Sequence, residues 1–303
     1  MSVTWLWAGF ILVMSVMLTL DLGVFQKKAH VMTVREAAIM VGIWWTLAAV
    51  FALAVYFVYG HDKAFQFISA YILEQSLSVD NLFVFILVFS FFGIAAENQP
   101  RVLHWGILGA IAMRFVFIFA GLSLLEASHL MFYVFGAILV FTGGKMMVSE
   151  DAQMEPHKNP ALKLLHRFLP VTEGTHGHRF FTTLNGVLHA TPLFAALVVI
   201  EATDLIFAVD SIPAALGVSS DLFVVYTSNI FAVMGLRSTY FLLAGSMTEF
   251  RYLKNGVSAV LIFVGVKMIV KDVYHVSTAA SLAVIGGTLL AAIAASLLVR
   301  KKT

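Results

Sequence analysis

Long apolar segments alternate with short polar connections along almost the whole chain. Each segment is close to 20 residues, which is the length that a helix needs to cross the hydrocarbon core of a bilayer. The pattern therefore predicts an all-α polytopic membrane protein with nine transmembrane helices. The predicted spans cover residues 4–24, 36–59, 65–92, 102–125, 129–148, 191–216, 222–245, 253–270 and 278–298.

Composition supports this class and excludes several others. Of the 303 residues, 60% are hydrophobic and only 12% are charged, whereas soluble domains are about half apolar and a quarter charged. The absence of cysteine excludes disulfides and thiolate metal sites. The sequence has no basic arm for nucleic acid. It also has neither a phosphate-binding loop nor an H-E-x-x-H motif, so we expect no enzyme and no resident cofactor.

The basic residues outside the predicted spans fall mainly on one side of the membrane. Of 19 Lys and Arg, 13 lie on the side of the C-terminus, four lie within spans, and only Lys63 and Lys271 lie opposite. Because cytoplasmic loops carry the excess of basic residues, we predict that the N-terminus is outside and the C-terminus is inside.

One connection, 149–190, is much longer than the others and is predicted to be a cytoplasmic loop. Within it, "NPALKLLHRFLP" has Asn159 as a helix cap and Pro170 as a stop, which predicts a short helix on the membrane surface. The nearby "THGHR" contains His176 and His178. These are either solvated loop residues or a metal-capture pair.

An acidic motif occurs twice, as "EQSLSVDNLFVF" and "DLIFAVDSIPAA". After each copy, the next span carries an Arg and the one after it carries a Lys. We therefore predict two three-helix repeats, 65–148 and 191–270, which are inverted because three helices cross the membrane an odd number of times. The matched residues are Glu74 with Asp204, Asp80 with Asp210, Asn81 with Ser211, Arg114 with Arg237, and Lys145 with Lys267.

Acidic side chains inside the spans are costly, at about 2.5–3.5 kcal/mol each near the bilayer centre. They need partners, protons or a cation. The four basic residues within the spans leave two negative charges unmatched, which suits one divalent cation. The donors are all hard oxygens, including those of Asn81 and Ser211, and such ligands favour Mg²⁺, Ca²⁺ or Mn²⁺. The acids are Asp21, Glu74, Asp80, Glu201, Asp204 and Asp210.

The alternative is that these acids form buried salt bridges with Arg114 and Arg237 and only hold helices together. Spacing is also a constraint, because residues six apart on a helix differ by about 9 Å along the axis and about 240° in direction. Either the helix is broken, as Pro213 favours in the second copy, or acids from the two repeats meet. We predict that the four repeated acids, Glu74, Asp80, Asp204 and Asp210, converge near mid-depth.

The sequence resembles the TerC/Alx family of integral membrane proteins. The resemblance rests on "EQSLSVDN", "TPLFAALVVIEATDLIFAVDSIPA", "SNIFAVMGLRSTYFLLAG" and "FVGVKM", and it extends from "LDLGVF" around Asp21 to Lys267. It implies a fold like that of the lysine-exporter superfamily, with inverted three-helix repeats. It also implies a role in Mn²⁺ export, alkaline response or tellurium resistance. The acids that it implies for transport are Glu74, Asp80, Glu201, Asp204 and Asp210.

The residues thus predict a secondary transporter for a hard divalent cation in the bacterial cytoplasmic (inner) membrane, with protons as the exchanged ion. The resemblance implies that the exported cation is Mn²⁺, and Ca²⁺ and Mg²⁺ are the alternatives. The predicted ligands are Glu74, Asp80, Asn81, Glu201, Asp204, Asp210 and Ser211, and the supporting charges are Asp21, Arg114, Arg237, Lys145 and Lys267. Two other functions stay open: an uncoupled cation channel, and a membrane scaffold for metal-stress resistance.

Overall fold

The computed structural model describes residues 3–23, 32–148, 159–172, 177–184, 186–244 and 252–298. Within these ranges, the side chains of residues 20–23, Asp80 and Leu297 are outside the description. The elements, in chain order, are α1 Val3–Gly23, α2 Val34–Tyr59, α3 His61–Phe91, α4 Gln99–Ala127, α5 Leu130–Val148, α6 Pro160–Phe168, β1 Phe181–Leu184, β2 Val187–Ala190, α7 Pro192–Val218, α8 Leu222–Leu243, α9 Leu253–Val270 and α10 Thr278–Leu298.

Long apolar helices make up most of this architecture. Seven of those described are long and apolar enough to cross a membrane, namely α2, α3, α4, α5, α7, α9 and α10. In α1 the apolar part is shorter, Thr4–Thr19, and α8 carries polar residues along its length. The chain is therefore a multi-pass integral membrane protein. The nine spans and the orientation of the termini stay predictions.

Local sequence signals explain where several helices begin and end. Thr33 and Glu36 form a capping box at the start of α2. Asn159 accepts a hydrogen bond from the Ala161 N–H and starts α6, as predicted. The "GHDKA" connection differs from its prediction, because Gly60 alone separates α2 from α3. With φ of 92°, Gly60 adopts a backbone conformation that favours glycine, so the chain turns and a new helix begins at His61.

Helices from the two predicted repeats pack against each other. Helix α3 packs on α8 and on α7, α4 packs on α7 and on α8, and α5 packs on α9. These are the neighbours expected if a two-fold axis relates α3–α5 to α7–α9. The inverted repeat itself stays a prediction from the sequence.

The contact between α5 and α9 brings the two backbones close together at small residues. A Cβ on Gly143 would lie 2.8 Å from the Ser258 carbonyl, and a Cβ on Gly265 would lie 2.6 Å from the Gly136 carbonyl. Gly143 corresponds to Gly265 in the repeat alignment, and Gly136 corresponds to Ser258. The two close approaches are thus counterparts of one another, and both depend on small side chains.

The connection between α5 and α7 contains more structure than predicted. Helix α6 packs against α7 with Leu162 buried, and β1 and β2 form an antiparallel hairpin that pairs Phe181 with Ala190. The sequence signal for this hairpin is the dipeptide before Val187, an Asn-Gly between two strand-like runs. His178 contacts the Asn98 side chain at the start of α4, and His176 lies outside the described residues.

Candidate cation site

The Glu74 carboxylate on α3 is held by two polar side chains from α4 and α8. Arg114 donates to Glu74 Oε1 and, at 2.6 Å, to the side-chain Oδ1 of Asn229. Asn229 donates to Glu74 Oε2 at 3.0 Å. All three side chains are buried. Because both oxygens of Glu74 are occupied by protein donors, this triad is a hydrogen-bonded network that joins three helices.

The Asp204 carboxylate on α7 lies beside the same helix α3, next to the amide of Asn81. Asn81 Nδ2 donates to Asp204 Oδ1 at 3.0 Å, and both side chains are buried. Asp204 is also close enough to Arg114 for a charge interaction with its guanidinium. The structure therefore brings together Asn81 from one motif copy and Asp204 from the other.

Glu201 lies one helical turn before Asp204, and the two carboxylates interact electrostatically. It is half-buried, with its carboxylate directly against Gly109 of α4. Any side chain at Gly109 would occupy the space of this carboxylate. Within the described residues, no hydrogen-bond donor or basic side chain pairs with Glu201. Its oxygens are therefore available to a ligand.

Asp210 lies six residues after Asp204 on α7 and faces a different helix. It accepts a hydrogen bond of 2.9 Å from Thr142 Oγ1 on α5. It also interacts electrostatically with Lys145, whose side chain is exposed. Ser211 is buried, and its hydroxyl has no hydrogen-bond partner among the described atoms. The same is true of Ser78 on α3.

Of the four repeated acids, Glu74 and Asp204 both interact with Arg114, whereas Asp210 faces α5. The Asp80 side chain is outside the description, so the convergence of all four stays a prediction. Among the described residues, no three acidic or histidine side chains lie close enough together to hold a metal ion. The reason is that α7 continues as a regular helix through Pro213, so the predicted local break is wrong. Asp204 and Asp210, six residues apart, therefore point to α3 and α5, respectively.

The supporting charges are distributed over the protein rather than gathered at one point. Arg114 does pair with an acid, as predicted. Arg237 is buried on α8 and lines a small cavity of about 20 Å³ together with Asp204. Lys267 lines a different cavity. The side chains of Asp21 and Asp80 lie outside the part of the chain that the structure describes.

Two residues of the candidate site were not predicted from the sequence. Asn229 bridges Glu74 and Arg114, and its signal was the single carboxamide in the predicted span 222–245. Gly109 makes room for Glu201, and no sequence pattern distinguishes it from the other glycines. The groups best placed to coordinate a cation are the Glu201 and Asp204 carboxylates and the Asn81 carbonyl oxygen. All three are hard oxygen donors.

Comparison with known proteins identifies the family. The profile described as "Integral membrane protein TerC family" matches residues 59–303, which include every helix of the candidate site. The chain belongs to the TerC family. This confirms the resemblance found in the sequence.

Curated relatives of this TerC protein align over nearly its whole length. An "Uncharacterized membrane protein STKORF319" of Myxococcus xanthus is 48% identical over 97% of this chain and 92% of its own length. A "Putative membrane-bound redox modulator Alx" of Escherichia coli (strain K12) is 41% identical over 94% of this chain and 91% of its own. An "Uncharacterized membrane protein" of Rickettsia bellii is 36% identical over 96% of this chain and 97% of its own. No solved structure matches the chain.

Proposed function

We propose that this TerC protein is a secondary transporter that exports a divalent cation from the cytoplasm across the bacterial inner membrane in exchange for protons. Mn²⁺ is the proposed main cargo, and Ca²⁺ and Mg²⁺ are the alternatives. The proposal rests on one observation above all: Glu201 and Asp204 form an adjacent carboxylate pair among the membrane-spanning helices.

The electrostatics of the pair favour a cation. Glu201 has no donor or basic partner within the described residues, and the neutral Asn81 amide donates the hydrogen bond that Asp204 accepts. Two neighbouring carboxylates repel one another in a region of low dielectric constant. A divalent cation between them would remove that repulsion and supply the counter-charge that a buried acid requires.

The Glu74–Arg114–Asn229 triad gives the pair a fixed support. It joins α3, α4 and α8, and two of these helices, α3 and α4, pack against α7. Because Glu74 is already neutralised by Arg114, we assign it a positioning role, in contrast to the direct ligand role predicted from the sequence. The Asn81 amide connects the triad's helix α3 to Asp204.

Proton exchange follows from the chemistry of carboxylate ligands. A carboxylate must be deprotonated to coordinate a cation, so protons and the cation compete for the same oxygens. Protons that enter from outside would then favour release of the cation on that side. Asp210 and Ser211, which lie further along α7, are the proposed next ligands on this path.

Two alternatives differ in what they predict. An uncoupled channel would conduct the same cation, but a proton gradient would not change the direction of net flux. A membrane scaffold for tellurium or other metal-stress resistance would not need the acids for cation flux. The name "redox modulator" of the Alx relatives cannot here mean thiol exchange, since this chain has no cysteine.

The test is uptake of Mn²⁺, Ca²⁺ and Mg²⁺ into proteoliposomes containing the full chain, with and without an imposed pH gradient. Asp204→Asn and Glu201→Gln remove one charge each with little change in size. The matched control is Asp62→Asn, which makes the same chemical change at an exposed acid at the start of α3. We expect gradient-dependent Mn²⁺ uptake by the wild type and the control, and its loss in the two site variants. Uptake that is equal in all four proteins would refute the proposal.

A further inference from the structure

A second cavity lies far from the carboxylate pair, at the ends of four long helices. Its volume is about 230 Å³, and it is formed where α3 and α10 begin and where α7 and α9 end, on the side predicted to face outwards. Its polar lining includes Lys63, Gln66, Ser220, Lys267, Lys271 and His275. Three ammonium groups therefore border one space.

The acidic side chains near this cavity are already engaged. Asp221 pairs with Lys63 at 2.8 Å and also accepts hydrogen bonds from the first N–H groups of α8. Asp272 accepts a hydrogen bond from Tyr133 at 2.7 Å and lies 3.4 Å from His129. Of the three lysines, only Lys63 has a carboxylate partner among the described residues.

The other two ammonium groups lack an anionic partner in the part of the chain that the structure describes. Lys267 is half-buried, and no carboxylate there pairs with it. The Lys271 ammonium lies 3.2 Å from the ring centroid of Phe132, a contact that compensates a cation less fully than a carboxylate does. A half-buried ammonium without a counter-charge stabilises any anion that enters the cavity.

Helix dipoles account for only part of this arrangement. Lys267 lies in the last turn of α9 and Lys271 is its C-cap, where basic side chains interact favourably with the terminal carbonyls. However, Lys145, the counterpart of Lys267 in the repeat, also lies in the last turn of its helix, and its side chain is exposed. The helix dipole therefore accounts for a basic residue in the last turn of α5 or of α9. It does not account for the two ammonium groups of Lys267 and Lys271 around one cavity.

We propose that this cavity binds a phosphate group, with Lys267 and Lys271 as its anchors and His275 and Ser220 as additional donors. The phosphate is that of an anionic phospholipid headgroup or of free inorganic phosphate. A headgroup has access from the bilayer interface, because Val273 and Tyr274, in the α9–α10 connection beside the cavity, are 91% and 67% exposed. Aromatic residues commonly occupy this depth of the membrane. The proposal is independent of the cation transport proposed above.

The first experiment measures lipid retention. The full chain is purified in detergent, and native mass spectrometry follows the binding of phosphatidylglycerol and of zwitterionic phosphatidylcholine. Each lysine near an anionic headgroup contributes about 1 kcal/mol, which corresponds to about fivefold in affinity. We therefore expect Lys267→Gln to weaken phosphatidylglycerol binding about fivefold and the Lys267→Gln/Lys271→Gln double variant about 25-fold.

The matched control is Lys145→Gln, which makes the same change at the repeat counterpart in the last turn of α5 and outside the cavity. It should retain phosphatidylglycerol like the wild type, and thermal unfolding of all variants reports whether each still folds. A second arm measures the thermal unfolding of the wild type and the double variant in inorganic phosphate, against chloride at equal ionic strength.

The outcomes separate the two sources of phosphate. Selective retention of phosphatidylglycerol that the double variant loses, without a stabilising effect of inorganic phosphate, identifies the lipid headgroup. Stabilisation of the wild type alone by inorganic phosphate identifies free phosphate. The proposal is overturned if the double variant behaves like the wild type in both arms, or if Lys145→Gln reduces binding as much as Lys267→Gln does.

Discussion

Replacement of Gly109 by alanine tests whether the position of the Glu201 carboxylate matters for transport. The added Cβ would lie 2.5 Å from the carboxyl carbon of Glu201 and closer still to one of its oxygens. Non-bonded carbon atoms pack at about 3.5–4.0 Å, so the carboxylate must move by about 1 Å. Because it is the end of a flexible side chain, Glu201 can swing aside without moving the backbone.

The effect on function should be much larger than the effect on stability. Ligand and binding groups must be held within about 0.5 Å of their productive positions, and an error of about 1 Å lowers rates by up to about 100-fold. We therefore expect Gly109→Ala to reduce Mn²⁺ transport about 10- to 100-fold. The thermal stability should change little. Alanine is favoured over glycine inside a helix by about 1 kcal/mol, and this gain offsets the cost of displacing the Glu201 side chain.

The matched control lies one turn earlier on the same helix. A Cβ at Gly106 would meet Ile200 at 3.5 Å and Leu197 at 3.9 Å, which are ordinary contacts. Gly106→Ala should therefore transport Mn²⁺ like the wild type. The assay is initial Mn²⁺ uptake into proteoliposomes, with the melting temperature measured for each variant. Wild-type transport by a well-folded Gly109→Ala protein would refute the placement of Glu201 in the cation path.

Three further predictions follow from the charged contacts. Asp204→Asn should reduce Mn²⁺ uptake at least about tenfold and more than Asp210→Asn does, because Asp204 belongs to the carboxylate pair; equal losses in both variants would contradict this ranking. Arg114→Gln should destabilise the protein by about 3–5 kcal/mol, because it leaves Glu74 buried without its counter-charge; thermal unfolding should show partial recovery when Glu74→Gln is added. Partial burial would raise the pKa of Asp221, but the Lys63 ammonium and the N–H groups of α8 outweigh it and hold this pKa below its ordinary value. The contribution of the ionised Asp221 to the free energy of unfolding is therefore complete above the ordinary pKa of about 3.9, and it is lost as the pH falls through the lowered pKa. Asp221→Asn should thus lower the free energy of unfolding by about 1 kcal/mol at neutral pH and leave it unchanged in strong acid.

The helical framework was predictable from the sequence because each segment carries its own signal. All nine predicted spans correspond to helices, with boundaries that agree within a few residues. Asn159 and Pro170 correctly bounded α6, since capping depends on neighbouring residues alone. The connection around Gly60 was predicted less well, because one glycine was enough to turn the chain. The β-hairpin was missed although its Asn-Gly signal was present.

The contacts within the candidate site were only partly predictable from the sequence. The duplicated motif correctly indicated that α3 and α7 would meet, and Asn81 does contact Asp204. It did not indicate that Glu74 would be enclosed by Arg114 and Asn229, nor that Asp210 would face α5. Periodicity gives the direction of a side chain from its own helix, but which neighbour lies in that direction depends on packing between segments distant in sequence.

By itself, the sequence determined the membrane class, the helix limits and the acidic residues that distinguish this chain from ordinary apolar helices. These depend on the local balance between apolar and polar side chains, which a bilayer makes strict because no water is present to solvate the backbone. Only the tertiary structure decided which acids are neutralised and which are available. Glu74 lies between a guanidinium and an amide, whereas Glu201 rests against the bare backbone at Gly109. That difference arises from the distances between four packed helices, which no single segment encodes.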